Sequence, residues 1–106
     1  MPDIHFFDAS GFFAQKIGEV EQNLIGKKAE VEILYANRRN LEQTIASLAL
    51  LAPEHQRAIQ VELASLREVL TSTERSIMAL EGEIDLLTAK LSALRAAHSL
   101  VQVRER

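Results

Sequence analysis

The spacing of apolar residues constrains this chain more than any other feature of its sequence. From residue 13 onward these residues recur at alternating steps of four and three, which is the spacing of a coiled-coil helix face. Two such series exist, and we call them seam 1 and seam 2. Seam 1 is Phe13, Ile17, Val20, Leu24, Lys27, Val31, Leu34, Arg38, Leu41, Ile45, Leu48 and Ala52. Seam 2 is Ile59, Leu63, Leu66, Leu70, Thr73, Ile77, Leu80, Ile84, Leu87, Leu91, Leu94, His98 and Val101.

The two seams are out of phase with each other. If seam 1 continued unbroken, it would include Glu62, but the apolar residue stands one position later, at Leu63. This slip falls near Pro53, and a proline inside a helix costs about 3 kcal/mol because it removes a hydrogen bond and clashes with the preceding turn. A helix accepts proline in its first turn, so the slip indicates a new helix there.

We therefore predict an all-α fold with two helices, at about 9–51 and 54–103, joined by a turn at about 52–57. The segment 1–8 precedes them as an extended N-terminal segment, and 9–106 form one helical hairpin. Helices of equal length with a short connection favour antiparallel packing. The alternative is a proline-kinked rod that pairs with a second copy.

The axial register of the hairpin is predicted from the polar residues of the seams. When facing residue numbers sum to 111, Arg38 lies opposite Thr73 and Phe13 lies opposite His98. A sum of 104 instead places Arg38 opposite a leucine, so the first register is favoured. It centres the turn on residues 53–57, whereas a helix start at Pro53 would favour a tighter turn.

Charges beside the seams favour the same register. It brings Glu42 near Arg67 and Lys28 near Glu81, two attractive pairs, and leaves one repulsive pair. That repulsive pair is Glu30 with Glu83. Exposed pairs of this kind contribute only about 0–1 kcal/mol each, so they support the register without fixing it.

Four polar seam residues are candidates for setting the register: Lys27, Arg38, Thr73 and His98. A polar residue in a seam costs stability but disfavours wrong registers and wrong oligomers. A second explanation stays open for the two basic residues, because their long aliphatic stems can cover apolar surface while the charge reaches water.

Further apolar residues have helical spacing but lie off the seams. Outer stripe 1, on the first helix, is Ile25, Ala29, Ile33 and Ala36. Outer stripe 2, on the second helix, is Leu86, Ala89, Ala93, Ala96, Leu100 and Val103. A stripe of this kind indicates another packed helix, so we expect a homodimer or higher homo-oligomer, with a four-helix bundle as the simplest form. The alternatives are docking on a larger partner, or surface aliphatics with no role.

The stretch FFDASGFF at 6–13 predicts the start of the first helix. Asp8 is the expected N-cap, and Phe7 and Phe12 then take the two positions of a hydrophobic staple. Phe6 and Ile4 are left without a local role. We expect them to contact another subunit or a partner.

No pattern of catalytic residues is recognised. Glutamates two apart on a helix point about 200° apart and cannot converge on a substrate. The chain has no cysteine, and no nucleophile turn, phosphate loop or Glu-x-x-His motif. His5 lies near Asp3 and Asp8 without a second His or Cys, a weak metal motif. We predict a non-enzyme with no catalytic, cofactor-binding or metal-binding residues.

Charge and hydropathy limit the partners to proteins. The net charge is −3 and no basic face is evident, which argues against nucleic acid. No run of about 20 apolar residues could span a membrane. Residues 1–15 hold two aspartates and no Lys or Arg, which disfavours a membrane anchor. Without a visible Sec signal the cytoplasm is expected, although non-Sec export stays open.

The function expected from these features is structural. We expect a coiled-coil adaptor that self-assembles or forms part of a larger assembly through protein–protein interaction. The alternative is a small binding inhibitor or regulator, for example a phage-encoded one, that occludes a host protein. No family is recognised, since the turn LLAPEH carries no signature motif.

Overall fold

The chain folds into the all-α helical hairpin that the seams predict. A computed structural model describes residues 6–105, which form helices α1 (Ala9–Ala49), α2 (Pro53–Ala58) and α3 (Gln60–Glu105). The long helices α1 and α3 pack against each other. The molecule measures 87 × 27 × 14 Å with a radius of gyration of 23.9 Å. A compact domain of this length would have a radius of gyration of about 13 Å, so the hairpin is a thin rod.

The two seams form the interface between α1 and α3. The buried side chains of the described residues all belong to a seam: Val20, Leu24, Val31, Leu63, Ile77 and Leu91. Every other seam residue is half-buried except Ala52, which is exposed beyond the end of α1. The coiled-coil spacing therefore identified the core correctly, because it follows from the geometry of each helix alone.

The contacts across the hairpin fit the register in which facing residue numbers sum to about 111. Val20 and Leu24 pack with Leu91. The partly buried side chains around them are Ile17, Ile84, Leu87 and Leu94. The Lys27 Nζ lies 2.9 Å from the Glu83 Oε2, which fits the same offset between the helices.

The predicted flanking pairs are replaced by others. Glu81 accepts a hydrogen bond from the Tyr35 hydroxyl at 2.6 Å, and Glu42 lies 4.0 Å from Arg38 of its own helix. In an antiparallel pair, a residue beside the seam can contact either of two residues on the opposite helix, which are seven positions apart. For Glu81 these two are residues 28 and 35, and the structure shows the contact with residue 35.

The connection differs from the single second helix that we predicted. α1 ends at Ala49, and Pro53 occupies the first turn of the short helix α2, with Glu54 beside it. The helix then breaks at Ile59, the first residue of seam 2. Ile59 has φ −102° and ψ 6°, outside the ordinary α-helical range, and α2 has no buried residue. The connection therefore contains both the helix start at Pro53 and the wide turn that the register predicts.

Gln56 ties this connection to α1. Its side-chain amide donates a hydrogen bond to the carbonyl oxygen of Ala49 at 2.7 Å and another to that of Leu51. The last carbonyl groups of a helix have no partner within the helix, so this amide satisfies part of the end of α1. Sequence reasoning missed this role.

The start of α1 has the expected cap. Asp8 is the N-cap, and its carboxylate accepts a hydrogen bond from the Gly11 backbone N–H at 2.9 Å. The rings of Phe7 and Phe12 lie 5.5 Å apart between centroids, as in a hydrophobic staple. A Cβ atom at residue 11 would collide with the Asp8 carboxylate, which would have to shift away from its position in this cap.

Candidate interaction surface

Outer stripe 2 lies on the face of α3 that points away from the seam. Leu86 is 74% exposed, Leu100 is 68% exposed and Val103 is 66% exposed. The three alanines between the leucines are exposed as well. The stripe extends over about 25 Å of helix, at about 1.5 Å per residue. Its apolar side chains have no cover within the hairpin.

Outer stripe 1 is a shorter apolar strip on α1. Ile25 and Ile33 are both more than half exposed, and Ala29 is exposed. Ala36 is half-buried, so the stripe ends before the middle of the helix. Its two large residues are eight positions apart and do not share one heptad position.

The open end of the hairpin carries the exposed aromatic rings. Phe6 is 88% exposed, and Phe7 and Phe12 are exposed to a smaller extent despite their mutual contact. Ile4, the other contact predicted for this end, lies outside the described residues. Phe13 packs inward at the first position of seam 1.

Shallow grooves lie between the long helices. The groove lined by Asn37, Asn40, Leu41, Thr44, Val69 and Thr73 contains no residue of outer stripe 2, whereas two others do. One is a concavity of about 190 Å³ at the open end, lined by Phe13, Ala97, Leu100, Val101 and Arg104. The other is a concavity of about 310 Å³ lined by Asn23, Lys27, Glu83, Leu86 and Leu87. The lining residues of α3 in the second groove stand 14 positions before those in the first, which is two heptads. The grooves therefore lie on the same side of the hairpin and contain the two leucines of outer stripe 2.

Sequence reasoning missed several exposed apolar residues. Leu50 is exposed at the end of α1, and Val61 and Met78 are exposed on α3. None belongs to a seam or to an outer stripe. Their isolation along the chain left no periodic signal, which is why the pattern did not single them out.

Two of the polar seam residues reach the opposite helix. Lys27 donates a hydrogen bond to the Glu83 carboxylate, and this bond with the nearby charge of Glu83 raises the pKa of Lys27 above its ordinary value. Glu30 adds a smaller contribution in the same direction. Lys27 thus offsets the predicted repulsion between the two glutamates. The His98 Nε2 lies 3.2 Å from the Ser10 hydroxyl.

The polar groups of the other two seam residues contact their own helix. The Arg38 guanidinium lies beside Glu42 and 5.3 Å from the centroid of the Tyr35 ring. Thr73 donates a hydrogen bond to the Val69 carbonyl oxygen at 2.9 Å. Neither makes a polar contact across the hairpin. These two residues would therefore set the register only by making other registers less stable.

Tyr35 links the two helices on the other flank of the seam. Its hydrogen bond to Glu81 keeps the hydroxyl protonated and raises the pKa of Tyr35, with help from burial and from the Glu81 charge. On the same flank Arg95 lies 3.7 Å from Glu21. Sequence reasoning missed the contact between Tyr35 and Glu81, because tyrosine carries no charge to pair.

Within residues 6–105, no three or more His, Asp or Glu side chains are placed to hold a metal ion together. No helix in that range is long and apolar enough to cross a membrane. Comparisons with known protein families, with curated proteins and with solved structures gave no match.

Proposed function

We propose that this protein is a non-enzymatic structural or adaptor subunit that acts through coiled-coil protein–protein interaction. The observation that carries this proposal is the surface area of the hairpin. The chain exposes 8123 Å². A compact monomer of 11.8 kDa would expose about 5,900 Å², so roughly 2,200 Å² is in excess.

The excess area is larger than one side of an ordinary interface. A stable complex buries about 800 Å² on each partner, which the outer stripes and the open end could supply together. The large exposed residues that would enter such a contact are Phe6, Ile25, Ile33, Leu86, Leu100 and Val103. Leu86, Leu100 and Val103 line up along one face of α3 instead of standing singly, which is the pattern of an interaction surface.

Sedimentation velocity with fluorescence detection tests the proposal. The labelled full chain would be measured alone, at concentrations from about 0.1 to 100 µM, and again in a lysate of its native cells. We expect faster sedimentation than that of an 11.8 kDa rod in at least one condition. At least one of the two variants Leu100→Glu and Ile33→Glu should reverse it, because each places a charge in an outer stripe.

The matched control is Glu32→Gln, a change at an exposed α1 position outside both stripes. The proposal is wrong if the chain sediments as a monomer in every condition, or if stripe and control variants behave alike. We also propose a cytoplasmic location, which cell fractionation would test.

A further inference from the structure

We propose that outer stripe 2 binds a second copy of this chain, with the two α3 helices antiparallel around a twofold axis near Ala93. This inference rests on the proposed function and names the partner of the same surface. Three features of the structure agree on where the axis lies.

The first feature is the shape of the open-end groove. Its α3 residues are Ala97, Leu100, Val101 and Arg104, spaced at i, i+3, i+4 and i+7. Four residues with this spacing form the hole that receives one side chain of a facing helix in coiled coils. The centre of this hole lies between Leu100 and Val101.

The second feature is the symmetry between the two grooves. The other groove is lined by Glu83, Leu86 and Leu87, which repeat the first three positions of the hole two heptads earlier. An antiparallel partner can therefore insert its Leu86 beside Leu100, and its Leu100 beside Leu86. The two insertions are related by a twofold axis at residue 93.

The third feature is charge. Glu83 and Arg104 are 21 residues apart, which is three heptads, so they lie on the same flank of α3. An antiparallel partner places its Arg104 opposite Glu83, whose carboxylate also accepts a hydrogen bond from Lys27 of its own chain. The midpoint between residues 83 and 104 falls within one residue of Ala93. Parallel packing would instead bring the acidic ends together, near Glu83 and Asp85 of both copies.

Size complementarity agrees with this arrangement. Around the axis the stripe carries Ala89, Ala93 and Ala96, which allow the two helix backbones to approach closely, while the leucines fill the ends. Outer stripe 1 differs, since its two isoleucines occupy different heptad positions. The groove beside it has a hole of the same spacing, but apart from Gly26 its lining is polar: Gln22, Asn23, Lys27 and Glu30. The excess surface described above belongs to the whole hairpin, and a stable dimer would bury roughly 800 Å² of it per partner along outer stripe 2 and the neighbouring grooves.

Cross-linking of single cysteines tests the geometry, because the natural chain has no cysteine. Ala93→Cys should cross-link to itself with a short bismaleimide, and Ala29→Cys on α1 is the matched control. In a mixture, Ala89→Cys should cross-link to Ala96→Cys at least threefold faster than to itself. Faster self-cross-linking of both Ala89→Cys and Ala96→Cys would mean parallel packing and would overturn the proposal.

Sedimentation equilibrium of the purified chain tests the surface. Leu100→Glu should weaken dimerisation at least tenfold, whereas Ile33→Glu, at a similarly exposed α1 position, should leave it unchanged. Circular dichroism of both variants would verify that the hairpin is intact. If Ile33→Glu weakens the dimer and Leu100→Glu does not, the interface is outer stripe 1 and this inference is wrong.

A third outcome separates this inference from the proposed function. A purified chain that stays monomeric up to about 100 µM overturns self-association through α3. If the same chain still sediments faster in lysate, and Leu100→Glu abolishes this effect, the proposed function stands with a different protein as partner.

Discussion

The N-cap of α1 offers a sharp test of the forces at the open end of the hairpin. Asp8 accepts a hydrogen bond from the Gly11 backbone, and a Cβ atom at residue 11 would collide with the same carboxylate. Gly11→Ala therefore improves the helix propensity and disrupts the cap at once. We predict that the stability effects of residues 8 and 11 depend on each other.

The expected magnitudes come from the two opposing terms. Replacing glycine by alanine within a helix stabilises by about 0.8–1 kcal/mol. Loss of an aspartate N-cap costs typically about 1 kcal/mol. Gly11→Ala alone should thus change the free energy of unfolding by less than about 0.5 kcal/mol. Once Asp8→Ala has already removed the cap, Gly11→Ala should stabilise by up to about 0.8 kcal/mol, a coupling of about 1 kcal/mol.

Gly18→Ala is the matched control, because a Cβ atom at residue 18 meets no atom within 4 Å. It should stabilise by about 0.8–1 kcal/mol whether or not Asp8 is present. Urea unfolding followed by circular dichroism would measure all variants at one protein concentration, since self-association would shift the apparent stability. If Gly11→Ala stabilises the wild type as much as Gly18→Ala does, the collision with the cap is not real.

Three further predictions concern the connection, the flanks and the seams. Gln56→Ala should destabilise the hairpin by about 0.5–1.5 kcal/mol, because the carbonyl groups of Ala49 and Leu51 lose their side-chain donor. Faster hydrogen exchange of the backbone amides in 50–59 would show this effect, and unchanged exchange would contradict it. Stability should fall as the pH rises above about 10, because the folded state raises the pKa of Lys27 and Tyr35 and so holds their protons longer than the unfolded chain. Urea titrations from pH 9 to 11 should show a shallower fall for Tyr35→Phe, and an equal fall would refute the contribution of its hydrogen bond to Glu81. The double variant Arg38→Leu with Thr73→Val should raise the midpoint of urea unfolding, since neither polar group bonds across the hairpin. It should also broaden the distribution of oligomers in sedimentation. A lower midpoint would mean that these groups stabilise the native register directly.

The sequence predicted the burial pattern of this fold almost completely. The seam spacing identified every buried side chain of the described residues, and the phase slip at Leu63 indicated two helices. The sequence also predicted the N-cap at Asp8 and the hydrophobic staple between Phe7 and Phe12, because a cap and a staple depend only on residues within about one turn. The positions of both outer stripes away from the seams followed from the same helical period, although Ala36 at the end of outer stripe 1 is half-buried.

The tertiary structure decided what depends on the position of one helix against the other. Glu81 meets Tyr35 instead of Lys28, and the two grooves of α3 take part of their lining from α1. The break at Ile59 was likewise absent from the prediction, which had a single second helix there. Periodicity is a property of each helix by itself and can be read from its residues. The axial offset and supercoil of two helices are joint properties of the pair, so the sequence narrowed the flanking contacts to a few choices and only the packed hairpin selected among them.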